Sequence, residues 1–340
     1  MADNGGAFDR VFIHISDIHF RGGAVGDVHD PDNELRNELE FDLRRLGTMV
    51  SKLDGLIISG DIAFSGKPEE YEYARSWIES IRELMGCGNE DVMLTPGNHD
   101  IDRSAVPAGG EVERLQRGVR EAGSLDEKDG ALAEILRDRN QGEALFRPLT
   151  AYNVLASAYS CQVSASLPYW ERDYTLTDGT TLRFRGLTTS LFSSPNDDQQ
   201  ARQMFYGNAQ RQFKRENNVR YAIVGHHPPS WTLEGDAADR KFQTRTCLQL
   251  FGHEHDQWCM AGGSSVRLIA GALHPDRREV GWQPRYAAVA VSVRDESHLA
   301  LRVYPRRWST EEMQFIPDGN SRLEGYRDFL VQVEPRVPSR

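Results

Sequence analysis

Over the first hundred residues, short β-branched runs alternate with longer stretches in which apolar residues recur every three or four positions. This alternation predicts β-α-β units. A β-branched run at residues 11–15 predicts the first strand. From residue 33 to residue 53, leucines recur every three or four positions, which predicts a helix that packs one face on a sheet. The pattern then predicts a strand at residues 56–58, a helix that begins at Pro68 and ends near Gly86, and a strand at residues 92–94.

The second half of the chain is richer in predicted strands than in predicted helices. Between residues 104 and 159 the sequence is charged and helix-prone, which predicts a helical insertion. Asp178-Gly179 between alternating residues predicts a hairpin. Further strands are predicted at residues 221–224, 248–251, 266–270, 286–293 and 299–304. We therefore expect one α/β domain over residues 1–316, followed by a polar C-terminal tail, 317–340, without a periodicity that predicts an element.

Composition narrows the class of protein. The chain has 51 acidic and 40 basic residues and a formal net charge of −11, which disfavours loose binding to nucleic acid but leaves room for a local basic groove. No apolar run approaches the length of a membrane-spanning helix, so no membrane association is expected. The N-terminal residues lack the layout of a secretory signal, and we expect a cytoplasmic location. The four cysteines are scattered, as is typical of buried small hydrophobic residues.

Clusters of His, Asp and Asn stand where predicted strands end. Because ligands bind at the carboxyl ends of strands in layered α/β proteins, these clusters can converge on one point. Each cluster alone is better explained as ordinary turn residues, whereas the set favours an ion site. Oxygen and imidazole ligands without thiolates suit Mn, Fe, Zn, Co or Ni. The clusters are Asp17-Ile18-His19, Gly60-Asp61, Gly97-Asn98-His99-Asp100, Gly225-His226-His227 and Gly252-His253-Glu254-His255.

This series of motifs, in this order, resembles the calcineurin-like metallophosphoesterase superfamily, near its bacterial cyclic-nucleotide phosphodiesterase branch. The resemblance implies a four-layer α-β-β-α sandwich of two mixed sheets with a helical insertion. It also implies two divalent metal ions, with Mn or Fe favoured, bridged by water or hydroxide. By the same resemblance, the first metal would be held by Asp17, His19 and His255, the second by Asn98, His226 and His253, and both by Asp61.

The resemblance also assigns residues to the substrate. His99 would act as general acid toward the leaving group, or stabilise charge if it stays protonated. Asn98 would contact the phosphate as well as the metal. Arg103 either holds a phosphate oxygen or pairs with a carboxylate such as Asp102, and both alternatives stay open. His226 is preferred over His227 as ligand because it directly follows the predicted strand, which leaves His227 behind the ligands or facing substrate.

Two further features favour structural roles. His14 alternates with apolar residues inside the first predicted strand, so we expect a hydrogen-bonded, partly buried imidazole. Arg306, Arg307 and Trp308 could stack on a nucleotide, but arginines on a terminal strand are ordinarily solvated, and the surface interpretation is favoured.

The expected function is hydrolysis of a phosphodiester of small nucleotide or cyclic nucleotide type. One alternative is a metal-dependent nuclease on DNA or RNA, which requires a basic groove. Another is a phosphoesterase-like recognition module of a larger multidomain protein, which the presence of every expected ligand disfavours. The insertion and the loop at residues 193–204 would set substrate choice. The sequence leaves the oligomeric state open.

Overall fold

Two β-sheets form the centre of the computed structural model, which describes residues 8–22, 30, 32–195, 202–262, 264–275, 282–318 and 325–334. The strands are β1 Arg10–Ile15, β2 Gly55–Ile58, β3 Val92–Leu94, β4 Trp170–Thr175, β5 Thr181–Gly186, β6 Val219–Val224, β7 Thr246–Phe251, β8 Trp258–Gly262, β9 Ser265–Ile269, β10 Arg285–Asp295, β11 His298–Ser309, β12 Gln314–Pro317 and β13 Arg327–Gln332. The helices are α1 Asn33–Val50, α2 Pro68–Met85, α3 Glu111–Glu121, α4 Leu125–Arg137, α5 Arg139–Phe146, α6 Thr150–Ser157, α7 Asn208–Arg211 and α8 Asp236–Arg245.

Both sheets mix parallel and antiparallel strands. Within the described residues, the first sheet has the order β12-β11-β10-β1-β2-β3, with β13 also paired to β11. Its strands β1, β2 and β3 are parallel, and β10 is antiparallel to β1. The second sheet has the order β4-β5-β6-β7-β9-β8, in which β5, β6, β7 and β9 are parallel. Parallel neighbours end at the same edge of a sheet, so the loops that follow them are brought together.

The two sheets pack face to face through aromatic side chains. The Phe12 ring on β1 lies 4.9 Å from both Tyr174 on β4 and Phe184 on β5, with edge-to-face geometry. Helices α1 and α2 contact the outer side of the first sheet, and α8 contacts the second. Strands β1, β2 and β7 are buried on both faces, which explains why they are rich in apolar residues.

The expected α/β architecture of two mixed sheets with helices is confirmed. The predicted hairpin at Asp178-Gly179 is present as β4 and β5. Four helices, α3 to α6, occupy the predicted insertion. The predicted first helix ends at Val50 rather than at residue 53, because Ser51 has a left-handed backbone with φ of 69°. No helix in the described part of the chain is long and apolar enough to cross a membrane.

The sequence pattern assigned no element beyond residue 317, yet β13 lies there. It pairs antiparallel with β11, with Leu301 opposite Phe329. Its single buried side chain is Val331, while Leu330 remains 59% exposed. An edge strand held mainly by backbone hydrogen bonds leaves little hydrophobic alternation in the sequence.

The surface interpretation of Arg306 and Trp308 is wrong, because both residues are buried at 5% exposure. The guanidinium of Arg306 donates to both carboxylate oxygens of Asp42, at 2.8 and 2.5 Å. The hydroxyl of Tyr286 donates to the same carboxylate. Helix α1, which contacts the neighbouring strand β12, supplies the counter-charge through Asp42, so the arginine links helix to sheet. His14, in contrast, forms the expected hydrogen bond, to Ser59 at 2.8 Å, and is fully rather than partly buried.

Candidate metal centre

The motif-bearing loops follow β1, β2 and β3 of the first sheet and β6 and β7 of the second, and backbone hydrogen bonds tie them together. The amides of Ile18 and His19 both donate to the carbonyl of Asp61 at 2.9 Å. The amide of Gly252 donates to the carbonyl of His226 at 3.0 Å. Loops far apart in sequence are therefore joined to each other at the edge of each sheet.

One group of candidate ligands is built on the β1 and β7 loops. The Nε2 atoms of His255 and His19 lie 3.4 and 3.9 Å from Oδ1 of Asp17. One donor atom from each of the three residues lies within 4.8 Å of the others. The backbone amide of His253 donates to the other oxygen, Oδ2, at 3.2 Å, which fixes the carboxylate. This geometry suits an ion held from three sides.

The Asp61 carboxylate joins this group to a second one. Its Oδ2 lies 3.8 Å from Nε2 of His19 and 3.3 Å from Nε2 of His226. The Asn98 side-chain oxygen lies 3.1 Å from the same nitrogen of His226. The His226 and His253 rings are 5.1 Å apart. Asp61 is thus placed between the two groups, as a shared ligand would be.

Backbone strain is concentrated in these loops. Ten non-glycine residues in the described part of the chain have positive φ, and five of them are candidate ligands. Such conformations cost on the order of 1–3 kcal/mol each and persist where the surrounding structure enforces them. The five candidate ligands are Asp17, His19, Asp61, His253 and His255, with φ between 52° and 73°.

Two glycines allow the loops to approach this closely. A Cβ on Gly97 would lie 2.1 Å from Oδ1 of Asp61. A Cβ on Gly60, whose φ is +100°, would lie 2.6 Å from Nδ1 of His226. Neither position can carry a side chain without displacing a candidate ligand.

Hydrogen bonds to backbone carbonyls orient the imidazoles. Nδ1 of His226 lies 2.9 Å from the carbonyl of Ser59, and Nδ1 of His99 lies 2.8 Å from the carbonyl of Phe64. Because a carbonyl only accepts, Nδ1 donates in both cases, and in the neutral ring Nε2 carries the lone pair. The neutral ring of His226 therefore presents Nε2 to a metal ion, whereas His99 carries a proton at Nε2 only when its ring is protonated at both nitrogens.

Sequence reasoning missed Asp100, which holds two of the loops together. Its carboxylate accepts the amides of Ile62, Ala63 and Gly97 at 3.2, 2.9 and 2.9 Å. The Tyr71 hydroxyl also donates to it at 2.9 Å. Burial raises the pKa of this carboxyl to about 6. Asp100 is the last residue of the Gly-Asn-His-Asp motif, and this position could have indicated its role.

The charges of the site are strongly coupled. Burial by itself raises the pKa values of Asp17 and Asp61, but the surrounding imidazoles lower both below the usual range. Burial also works against the charge of His226, yet the Asp61 carboxylate raises its pKa to about 9. Burial lowers the pKa values of His19 and His253 to about 4 and 3. The carboxylates and the imidazoles of His19 and His253 thus have the protonation states that bind metal ions, whereas His226 carries a proton that a metal ion would displace.

Buried polar atoms at the site also point to cations. Asp17 Oδ1, His227 Nε2 and His253 Nε2 are shielded from solvent and have no hydrogen-bond partner among the described residues. A buried polar atom without a partner costs about 1–3 kcal/mol. Carboxylate and imidazole atoms in this arrangement fit divalent metal ions, which would satisfy them.

A cavity of about 480 Å³ opens over the candidate ligands. His99 stands at its wall, with its ring 4.7 Å from that of His19. Trp231 lies on another side, 4.2 Å from the His253 ring. Glu254 also lines the cavity and accepts a hydrogen bond from Trp258 at 2.9 Å. Sequence reasoning missed Trp231 because it stands outside the strand-end motifs.

Two expected substrate residues do not line this cavity. His227 is 1% exposed and its Nδ1 lies 2.6 Å from the hydroxyl of Thr189. Arg103 has two buried guanidinium nitrogens without a hydrogen-bond partner in the described residues. Asp102 pairs with Lys67 at 2.6 Å. Residues 196–201 of the loop expected to set substrate choice lie outside the described residues.

A family comparison covers the part of the chain that carries these motifs. The family model for calcineurin-like phosphoesterases matches residues 10–257. A glycerophosphodiester phosphodiesterase of Enterobacter lignolyticus is 33% identical over 96 residues, which cover 26% of this chain and 29% of that protein. A cAMP/cGMP dual specificity phosphodiesterase of Mycobacterium tuberculosis is 30% identical over 105 residues, 29% of each chain. Each match therefore spans less than a third of the relative.

Among solved structures, a 5′-nucleotidase from Candida albicans superposes with a TM-score of 0.42 and 15% sequence identity. That superposition covers 84% of this chain and 49% of the nucleotidase.

Proposed function

The chain belongs to the calcineurin-like phosphoesterase family, and from that premise we propose that it is a binuclear metal-dependent phosphodiesterase acting on a small nucleotide or cyclic nucleotide diester. The observation that carries the proposal is the position of the Asp61 carboxylate, 3.3 Å from His226 and 3.8 Å from His19. A carboxylate between two sets of ligands is what two neighbouring dications require, because an anion between them offsets their repulsion.

Seven residues would hold the metals. Metal ions at such a site supply a solvent nucleophile at neutral pH and neutralise the oxygens of the phosphate. Asp17, His19 and His255 would hold one ion, Asn98, His226 and His253 the other, and Asp61 both.

His99 is the proposed general acid. Its backbone amide donates to Oδ1 of Asp61 at 2.8 Å, which places the residue beside the shared carboxylate. Its Nδ1 is occupied by the Phe64 carbonyl, so Nε2 is the atom that can deliver a proton in the cavity. With Nδ1 donating to the carbonyl, the ring protonated at both nitrogens can pass the Nε2 proton to a leaving alkoxide.

A diester substrate is supported by two of the relatives, which are named as phosphodiesterases. The cavity volume of about 480 Å³ also leaves room for a phosphate with two substituents. The net charge of −11 disfavours a long nucleic acid as the substrate.

The test is turnover with added Mn on bis-p-nitrophenyl phosphate, p-nitrophenyl phosphate, cyclic AMP and single-stranded DNA. We expect at least about tenfold higher kcat/KM on the diesters than on the monoester, with loss in Asp61→Ala. Asp295→Ala removes an exposed carboxylate far from the site and serves as the matched control. Preferential cleavage of DNA would favour a nuclease instead, and two bound metals with no turnover would favour a recognition module.

A further inference from the structure

An arginine is stacked on an aromatic ring beside the candidate metal centre. The guanidinium of Arg21, two residues after the candidate ligand His19, lies 3.8 Å from the centre of the Phe64 ring. The Phe64 side chain is 37% exposed, and Arg21 itself is exposed. The pair therefore stands at the surface, where a ligand can reach it.

Arg21 differs from the other ring-stacked arginines. In the described part of the chain, eight arginines stack on aromatic rings, and seven of them also pair with a carboxylate. Arg302, for example, stacks on Tyr326 at 3.7 Å and also pairs with Asp328. Arg21 has no ion pair with any described residue, in a chain that carries 51 acidic residues. Among the described residues, its guanidinium therefore contacts a ring and has no carboxylate partner.

Phe64 connects this cation to the proposed general acid. Its ring lies 5.5 Å from the ring of His99, and its carbonyl accepts from Nδ1 of the same residue. Arg21, Phe64 and His99 thus form a row that leads from the cavity wall to the surface. A leaving group bonded to the phosphate on the side that faces His99 would extend along this row.

The net charge that the site would have with two metal ions bound bears on the role of the Arg21 guanidinium. Two divalent cations outweigh the two carboxylates of Asp17 and Asp61, so the loaded site is positive. An additional cation nearby is then unfavourable until an anion arrives. A guanidinium whose centre lies 3.8 Å from a ring centre contacts the aromatic face and can still bind phosphate through its N–H groups.

We propose that Arg21, stacked on Phe64, forms an anion subsite that binds a second phosphate on the leaving-group side of the substrate. This inference rests on the proposed phosphodiesterase function and narrows its substrate class. The favoured substrate is a nucleotide diester that carries an additional terminal phosphate.

The test compares three diadenylates with the same scissile diester: ApA, pApA with a 5′-phosphate, and ApAp with a 3′-phosphate. We expect the wild-type holoenzyme to prefer one of the phosphorylated forms over ApA by about tenfold or more in kcat/KM, as one charge-assisted hydrogen-bond pair provides. In Arg21→Gln this ratio should fall to within about threefold of unity. In Phe64→Leu, which keeps the backbone carbonyl but removes the ring face, we expect an intermediate ratio.

Arg44→Gln is the matched control, because Arg44 is also stacked on an exposed ring, Phe41, but on helix α1 and paired with Glu40. Its ratio should equal that of the wild type. Equal ratios in the wild type and Arg21→Gln would overturn the subsite.

Binding separates failure of the subsite from failure of the proposed function. If the wild type hydrolyses no diester, the proposed function fails. The subsite is then judged by calorimetry of the Mn-loaded protein with adenosine 3′,5′-bisphosphate and with AMP. Tighter binding of the bisphosphate that is lost in Arg21→Gln supports the subsite, and equal affinities contradict it.

Discussion

Several candidate ligands have a left-handed backbone conformation, which costs conformational free energy. His19 has φ of 53°, a conformation that is unfavourable for residues with a Cβ but not for glycine. This strained backbone conformation places the imidazole beside the carboxylates of Asp17 and Asp61. The stability of the metal-free chain should therefore respond to substitution here in an unusual way.

We expect metal-free His19→Gly to be more stable than metal-free His19→Ala by about 1 kcal/mol, because glycine relieves the strain. The measurement is urea unfolding of both variants after chelation. At His298, which begins strand β11, the same pair should give the opposite order, since glycine weakens ordinary strands. An alanine variant at position 19 that is the more stable of the two would refute the strain argument.

His99→Ala should lower turnover by about 10² to 10⁴ and leave metal content unchanged. The backbone amide that donates to Asp61 is retained in the variant, so the shared carboxylate keeps its position. Turnover of a diester and elemental analysis check the two halves of this prediction. His298→Ala removes an imidazole that pairs with Asp295, away from the site, and should leave both quantities unchanged. Unchanged turnover in His99→Ala would remove this residue from the mechanism.

At the scale of elements, hydrophobic periodicity predicted the parts of the fold that bury a broad apolar face. Strand β3 and the start of helix α2 at Pro68 agree with the pattern because their buried positions are apolar. Helix α8 was not predicted, since Ala238 and Phe242 are its only buried residues. Strand β8 is largely exposed, and it likewise leaves no periodic signal. Elements stabilised by backbone pairing or by polar contacts are the ones that sequence periodicity misses.

A polar contact also joins the helical insertion to the second half of the chain. Arg211 on α7 donates to Asp129 on α4 at 2.6 Å and lies 3.3 Å from the carboxylate of Glu234. Glu234 also accepts the amides of Tyr206 and Gly207 at 2.9 Å. Burial raises the pKa of the Glu234 carboxyl to about 7. The attachment of the insertion is therefore sensitive to pH.

The sign of that pH dependence follows from the raised pKa. The folded chain holds the Glu234 proton more tightly than the unfolded chain, so this residue's contribution is present below pH 4.5 and is lost as the pH rises through 7. Glu234→Gln should therefore gain stability relative to the wild type across this interval, by on the order of 3 kcal/mol. Denaturant unfolding at several pH values measures the difference. Glu311→Gln, at an exposed position, should track the wild type, and a constant difference for Glu234→Gln would contradict the assignment.

At the scale of the whole molecule, the candidate ligands were predictable because each follows a strand, and the topology of parallel strands brings such positions together. Asp17 and His253 are 236 residues apart, yet they are joined by a hydrogen bond of 3.2 Å. The surroundings were not predictable to the same degree. Trp231 and the stacking of Arg21 on Phe64 depend on how loops cross, which no local pattern specifies.

The central claim is that distant side chains form one cradle for two metal ions, with Asp61 shared between them. Elemental analysis after loading with Mn and gel filtration tests it most directly. We expect about two ions per wild-type chain and fewer than one in Asp61→Ala, because loss of the shared carboxylate leaves two neighbouring dications to repel each other. A wild-type chain that retains no metal, or an Asp61→Ala variant that still holds two ions, would contradict it.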